Sequence, residues 1–333
     1  MYRRRLSALA GAIGLLGALF SSGVAARADT LVGVDSTLSS LMSTYLSSSQ
    51  DACVGGTSTY IAGTKTCTIN ETSSGGKNIA VCVQSNTPGT SQECMITQTN
   101  DSGNNYALVF QHVVDNSGPT EDATQKSTIT QNMATLGTGS NFAAIVQVVK
   151  QSTKQAGDQS QTVHQLNTTD QTSTTGTNFA SLNESSDQSG QSVASMQTQF
   201  SEQDASDPNG HINQHSAGLS RAFATQSQVQ NLTGTGVQTQ TIDPRCCSLQ
   251  ETNGGDVFTI TESTKQSGNP NASQVASSFG TCNSTGQCTI TQSATNNNAS
   301  FGPSTTTCTP GVPCESTVTC TTNGEFPFCG KPD

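Results

Sequence analysis

Few residues in this chain have the type and spacing to do chemistry. His211 and His215 flank Ile212-Asn213-Gln214 four apart, so in a strand they share a face and could approach a metal together. No third ligand follows nearby, and two solvated imidazoles are the simpler reading; no metal and no cofactor are expected. Glu71, Glu184 and Glu262 stand where related phrases carry Gln, which marks them as variants of a repeated position rather than an acid/base pair. Nucleophile-elbow, zinc-helix, P-loop and calcium nonapeptide motifs are absent, and there is no Trp to stack a sugar. The expectation is a protein that is not an enzyme. Thr flanks an apolar residue in Thr128-Ile129-Thr130, Thr259-Ile260-Thr261, Thr289-Ile290-Thr291 and Thr317-Val318-Thr319. If the apolar residue points inward, the Thr pairs point outward and would line up as parallel columns on stacked strands, a surface similar to that of ice-binding proteins. Thr is also a strong strand former wherever it occurs.

The 12 Cys are the other reactive group, and their even number in a chain with a leader-like start implies disulfides. Residues 1–28 have that form: Arg3, Arg4 and Arg5, an apolar run from Leu6 to Phe20, and Ala26-Arg27-Ala28 as a cleavage site. The expected product is secreted, extracellular or at the cell surface, with no transmembrane segment in the mature chain. Cys282–Cys288 and Cys308–Cys314 share a spacing around a Gly-containing turn, and local pairing is expected for both. For Cys94 two partners stay open, Cys82 across a turn and Cys67 in the preceding repeat.

What must position these residues is a repeat. A phrase recurs as Ile69-Asn-Glu71, Ile96-Thr-Gln98, Ile129-Thr-Gln131, Val163-His-Gln165, Ile212-Asn-Gln214, Ile260-Thr-Glu262 and Ile290-Thr-Gln292. A second phrase follows: Gly76-x-Asn78-x-Ala80-x-Cys82-x-Gln84, Gly103-x-Asn105-x-Ala107-x-Val109-x-Gln111, Gly139-x-Asn141-x-Ala143-x-Ile145-x-Gln147 and Gly176-x-Asn178-x-Ala180-x-Leu182-x-Glu184. Weaker copies begin at Gly218, Asn271 and Asn298. Recurring positions are two apart, the strand period, so each unit reads as strand, turn, strand, turn. The fold expected is all-β, a β-solenoid of two-strand coils, about seven to nine of them. Met196-Gln-Thr-Gln199 and Val237-Gln-Thr-Gln240 are candidates for the additional coils.

Composition fits a solenoid better than an ordinary core. Hydrophobic residues make up 32% of the chain and aromatics 5%, while charged residues reach only 11%. Stacked coils bring equivalent side chains about 4.8 Å apart, close enough for amide ladders. The expected ladder positions are Gln98, Gln131, Gln165 and Gln292 in the first phrase, with Asn78, Asn105, Asn141, Asn178, Gln84, Gln111 and Gln147 in the second. A net charge of −10 makes nucleic acid an improbable partner.

Thr128-Ile-Thr-Gln131 followed by Asn141-Phe-Ala143-Ala-Ile145-Val-Gln147 resembles the curlin repeat of the curli fibre subunit family, and the resemblance covers about residues 67–304. It implies two-strand β-solenoid coils, export through a dedicated secretion route, and a structural or adhesive role in extracellular amyloid-type fibres or biofilm matrix. Self-association through the solenoid ends, or a secretion or nucleation partner, would follow. The alternative is a monomeric, disulfide-capped solenoid that binds a surface or ligand such as ice. The turn between phrases is longer than in curlin, and the Cys are foreign to its pattern. Segment 29–66 carries Leu31, Val34, Leu38, Leu41, Met42 and Tyr45 at helical spacing, which predicts a helix over 30–48 covering the first coil. Residues 305–333, rich in Cys, Pro and Gly, read as a disulfide-pinned cap at the other end.

Overall fold

The computed structural model describes residues 35–46, 50–61, 63–85, 91–116, 118–134, 137–153, 158–192, 196–205, 211–234, 238–252, 256–268, 273–283, 286–297, 299–312, 314–322 and 328–330. The leader-like stretch 1–28, with Leu31 and Val34, lies outside them.

Among the described residues one helix, α1 (Ser36–Tyr45), precedes β1 (Ala52–Val54), β2 (Gly56–Ile61), β3 (Thr64–Ser73), β4 (Lys77–Ser85), β5 (Ser91–Asn100) and β6 (Asn104–Asp115). Then come β7 (Thr120–Met133), β8 (Asn141–Thr153), β9 (Gln159–Ser173), β10 (Asn178–Ser192), β11 (Gln197–Ala205), β12 (His211–Ser216) and β13 (Ser220–Gly234). The chain closes with β14 (Gln238–Thr252), β15 (Asp256–Ser267), β16 (Ser273–Asn283), β17 (Gln287–Thr295), β18 (Ser300–Cys308), β19 (Cys314–Thr322) and β20 (Phe328–Gly330).

These strands form two sheets. One has the order β1-β4-β6-β8-β10-β13-β15-β17-β18; the other runs β2-β3-β5-β7-β9-β11-β14-β16-β19-β20, with β12 beside β9 and β14. From β3 to β17 successive strands alternate between the sheets, with β11 and β12 together forming one rung, and the neighbours within each sheet are parallel, which makes seven two-strand coils of a β-solenoid. The Met196–Gln199 and Val237–Gln240 phrases add no coils. Gln197 begins β11 and Gln238 begins β14, the fifth and sixth parallel rungs of the second sheet counted from β3, and Val237 lies outside the described residues.

The strands form because inward and outward residues alternate. β9 shows it best, with Gln159, Gln161, Val163, Gln165, Asn167, Thr169, Gln171 and Ser173 all buried between less buried neighbours. The turn before each second-phrase strand is set by glycine. A Cβ on Gly103 would lie 1.5 Å from the carbonyl oxygen of Gly76, one on Gly139 1.9 Å from that of Gly103, and one on Gly176 1.8 Å from that of Gly139. Stacked turns leave no room for any side chain there.

Three register assignments differ from the sequence expectation. Val163 stacks on Ala123, while Thr169 stacks on Ile129, because β9 extends both ways past the phrase used to align it. Ile260 and Ile290 belong to the first sheet, where they continue the Leu182–Ala224 column. The weak second-phrase copy expected from Asn298, itself outside the described residues, to Ser304 adds no parallel rung: β18 runs antiparallel to β17.

The helix also differs. It spans Ser36–Tyr45, with the Asp35 side chain accepting from Thr37 N at 2.7 Å as its N-cap. It lies on the outer face of the first sheet, where Leu38, Met42 and Leu46 join Val81, Val83, Tyr106, Leu108 and Phe110. The physical reason is that β4, β6 and β8 are apolar on both faces, so the outward side needs a cover. The first coil is instead closed by strands: β1 pairs antiparallel with β4 and β2 with β3.

Candidate functional site

The distinctive chemistry lies in buried amide columns. In the second sheet, Gln98 Nε2 donates to Glu71 Oε2 at 2.7 Å, Gln131 to Gln98 at 2.8 Å, Gln171 to Gln131 at 2.7 Å and Gln214 to Gln171 at 2.7 Å. The second N–H of each amide crosses the core to a backbone carbonyl of the other sheet, Gln98 to Tyr106, Gln131 to Phe142 and Gln171 to Phe179. One Gln thus fastens its coil both to the next rung and to the opposite sheet. Gln165 is not in this column. It stands with Gln92, Gln125 and Gln203; Gln92, Gln125 and Gln165 lie six residues before Gln98, Gln131 and Gln171 on their strands, and Gln203 lies on β11 while Gln214 is on β12.

In the first sheet, Asn78 donates to Asn105 and Asn105 to Asn141, each at 2.9 Å, and Asn141 to Asn178 at 3.0 Å. Gln111 donates to Gln84 at 2.9 Å and Gln147 to Gln111 at 2.6 Å. Glu184 and Glu262 continue this column, and Gln292 belongs here, donating to Glu262 at 2.8 Å, rather than with Gln98 and Gln131.

A carboxylate inside such a column cannot donate to the previous carbonyl. At Glu184 the gap is filled from across the core: Asn167 Nδ2 donates to Gln147 Oε1 at 2.8 Å and also to Glu184 Oε1, while Gln226 donates to Glu184 Oε2 at 2.6 Å.

Further columns escaped the sequence reading. Gln188, Gln230 and Gln266 stack on Gln151, and Gln199 and Gln240 on Gln161. The signal was present as Gln147-x₃-Gln151, Gln226-x₃-Gln230, Gln125-x₅-Gln131 and Gln165-x₅-Gln171, even spacings that keep both amides on the inward face.

Both ends are bolted across the core. Cys53–Cys67 joins β1 to β3, and Cys82–Cys94 joins β4 to β5 one rung further in. At the other end Cys308–Cys314 joins β18 to β19, and Cys320–Cys329 closes the β19–β20 pair. Cys288 is also disulfide-bonded; the Cys282 side chain lies outside the described residues. The Gln84–Gln292 column is terminated at the cap, where Ser316 Oγ donates to Gln292 Oε1 at 2.7 Å and Ser316 O accepts from Gln292 Nε2 at 2.9 Å. Asp51, beside β1, accepts from Lys65 Nζ and from Ser85 N, each at 2.7 Å, tying the first cap to two strands. Burial by itself would raise this carboxyl; the bonds from Lys65 and Ser85 outweigh it and hold Asp51 below its usual value.

The expected Thr columns split between the sheets. Thr128 and Thr130 lie on the second sheet, where Met95, Asp170 and Asn213 interrupt them. Thr259, Thr261, Thr289, Thr291, Thr305 and Thr307 form two short columns on the outer face of the first sheet at its C-terminal end. His215 is exposed, and His164 packs its ring against Phe200 at 5.4 Å. Burial, reinforced by Lys150, holds the half-buried His112 below its ordinary value. Among the described residues no three His, Cys, Asp or Glu side chains converge on a point, and no helix is long and apolar enough to cross a membrane.

Comparison with known proteins adds nothing to these features: no family model, no curated protein and no solved structure matches the chain.

Proposed function

We propose that this chain is an extracellular structural or adhesive protein that works as a discrete, end-sealed solenoid rod, standing in or on a matrix, with curlin-like coil chemistry but without free coil-on-coil growth. The observation that carries this reading is the antiparallel closure of both ends in both sheets. A solenoid polymerises by offering the unmade backbone hydrogen bonds of its last parallel strand to the next copy. Here β1, β2, β18 and β19 occupy that position, and the cross-core disulfides hold them there. Such bonds belong to oxidising compartments, which supports a place outside the cytosol. With nine rungs in the first sheet, the rod is about 40 Å long. The experiment is electron microscopy and light scattering of the oxidised protein. Discrete particles with no thioflavin signal are expected; spontaneous fibres from the oxidised, intact chain would remove the reading.

A second reading has its own observation, the paired Thr columns at the C-terminal end of the first sheet, where Thr305 and Thr307 are exposed. A regular hydroxyl array of this kind suits an ordered surface such as ice. Thermal hysteresis that disappears in Thr289→Tyr would establish it; none at all would dismiss it.

A further inference from the structure

The two ends of the solenoid are not closed to the same extent. At the C-terminal end β18 pairs with β17 from Cys288 to Thr295, and β19 pairs with β16 from Gln274 to Cys282, so both final parallel strands are covered almost along their whole length. At the N-terminal end the cover is shorter. β1 lies opposite only Val81–Val83 of the nine-residue β4, and β2 lies opposite Thr64–Ile69 of the ten-residue β3. Among the described residues no strand pairs with Asn70–Ser73 or Lys77–Ala80 on this side, and Asn70, Thr72, Ser74, Gly75, Gly76 and Lys77 are exposed.

Gly76 O accepts from Asn104 N at 3.0 Å, across to β6, so by alternation the even-numbered residues of β4 turn their N–H and C=O toward β6 and the odd-numbered ones toward the end of the rod. Val81 and Val83 meet β1 there; Lys77 and Ile79 meet no strand. An edge of this kind can take up an added strand. A side chain marks the same place. Asn78 donates to Asn105, Asn105 to Asn141 and Asn141 to Asn178, so of these four carbonyls every one but the first receives an N–H from its column. Both amide hydrogens of Asn78 are spent, on Asn105 Oδ1 and on Thr99 O, each at 2.9 Å, which leaves its Oδ1 an acceptor without a donor among the described residues. Asn78 is only 6% exposed, so water has little access to that carbonyl.

We propose that this half-open edge anchors the rod: one extended segment of a partner protein adds as a short parallel strand on Lys77–Ala80, with an Asn or Gln amide over Asn78 and a small residue over Ala80. The proposal rests on the reading of the chain as a discrete rod and names how such a rod is held. Parallel addition repeats the geometry of β6 on β4, so the incoming amide continues the column and supplies the N–H that Asn78 Oδ1 lacks. On the outer face, Lys77 Nζ donates to Thr37 Oγ1 at 2.7 Å and lies over the Tyr106 ring, and among the described residues no carboxylate pairs with it. An acidic residue just before the partner's amide provides that charge. Because β1 stops the added strand at Val81, there is room for about four residues, enough for an anchor and too few for another coil. A second copy of the same end is a poor occupant. It brings Lys77 against Lys77 and offers an acceptor to an acceptor.

The test follows amide hydrogen exchange in the full oxidised chain, with the capped peptide Gly-Glu-Asn-Phe-Ala-Ala as probe. In the free rod the Lys77 and Ile79 amides should exchange fast and those of Asn78 and Ala80 slowly, a readout that needs no variant to fold. The peptide should slow Lys77 and Ile79 saturably, and Ala in place of its Asn should weaken binding by about fivefold, the worth of one neutral hydrogen bond. Ile79→Pro removes an N–H that β6 does not use and should abolish binding while the chain still melts cooperatively. Slow exchange at Ile79 without peptide, equal binding of the Asn and Ala peptides, or protection that rises with protein concentration alone, the mark of two copies pairing, would overturn the anchor. Fibres from the intact oxidised chain would overturn the rod reading along with it. Exchange unmoved by peptide in rods that stay discrete would overturn the anchor alone.

Discussion

Gln131 Nε2 donates to Gln98 Oε1 at 2.8 Å, across 33 residues of sequence, and the same side chain accepts from Gln171 Nε2 at 2.7 Å. A single buried amide thereby holds three coils in register. Gln131→Leu removes a partner from both neighbours and from the Phe142 carbonyl. The expected loss is about 1–3 kcal/mol for each buried group left unpaired. Thr130→Ala, on the outward face, should stay within about 0.5 kcal/mol. Equal losses in denaturant titration would mean that the ladder contributes nothing beyond strand propensity.

Asn167 bridges the column at Glu184, donating to Gln147 Oε1 at 2.8 Å and to Glu184 Oε1, where a Gln at 184 would itself donate to Gln147. Asn167→Ala should therefore destabilise by about 1–3 kcal/mol for each buried acceptor left without its donor. Adding Glu184→Gln should restore part of that loss, since glutamine can donate up the column itself. A double-mutant cycle with no coupling between the two positions would contradict this account.

At Gly103, Gly139 and Gly176 glycine is required by distance, whereas at the first turn Gly76 takes a positive φ of 88°. Gly139→Ala would place its Cβ 1.9 Å from the Gly103 carbonyl oxygen, so the turn must move and the cost should exceed about 2 kcal/mol. Gly118→Ala meets nothing nearer than 3.9 Å and serves as the control. A thermal melt in which both variants match the parent would show that the turns slide apart freely.

Sealed ends make a prediction about assembly. A chain running from Thr64 to Asn297 keeps the seven parallel coils and lacks β1, β2 and β18 to β20. It should polymerise faster than the intact protein, and reduction of the intact protein should move it in the same direction. Light scattering that finds the shortened chain monomeric under conditions where the intact chain forms fibres would make the terminal strands promoters of growth.

The sequence by itself determined the solenoid. Alternation at period two, the recurrence of Ile-x-Gln and Asn-x-Ala-x-x-x-Gln, and the scarcity of large apolar residues together leave stacked coils with amide columns as the arrangement that closes such a core. Asn78, Asn105, Asn141 and Asn178 were legible as one column because a glycine two residues before each fixes the strand start.

Only the tertiary structure decided which copies stack. Gln165 and Gln171 are six residues apart, an even number, so sliding β9 by that amount keeps every inward side chain inward and leaves the local pattern almost unchanged. Hydrophobic patterning cannot separate the two registers; the continuation of β7 and β9 beyond β5 does. The same ambiguity hid the sheet to which Ile260 and Ile290 belong, since both sheets use an apolar residue two before a Gln or Glu. The role of α1 was equally unreadable from its own residues. Amphipathic spacing says that a face must be buried, but the outward Val81, Leu108 and Phe110, brought side by side only by stacking, decide where.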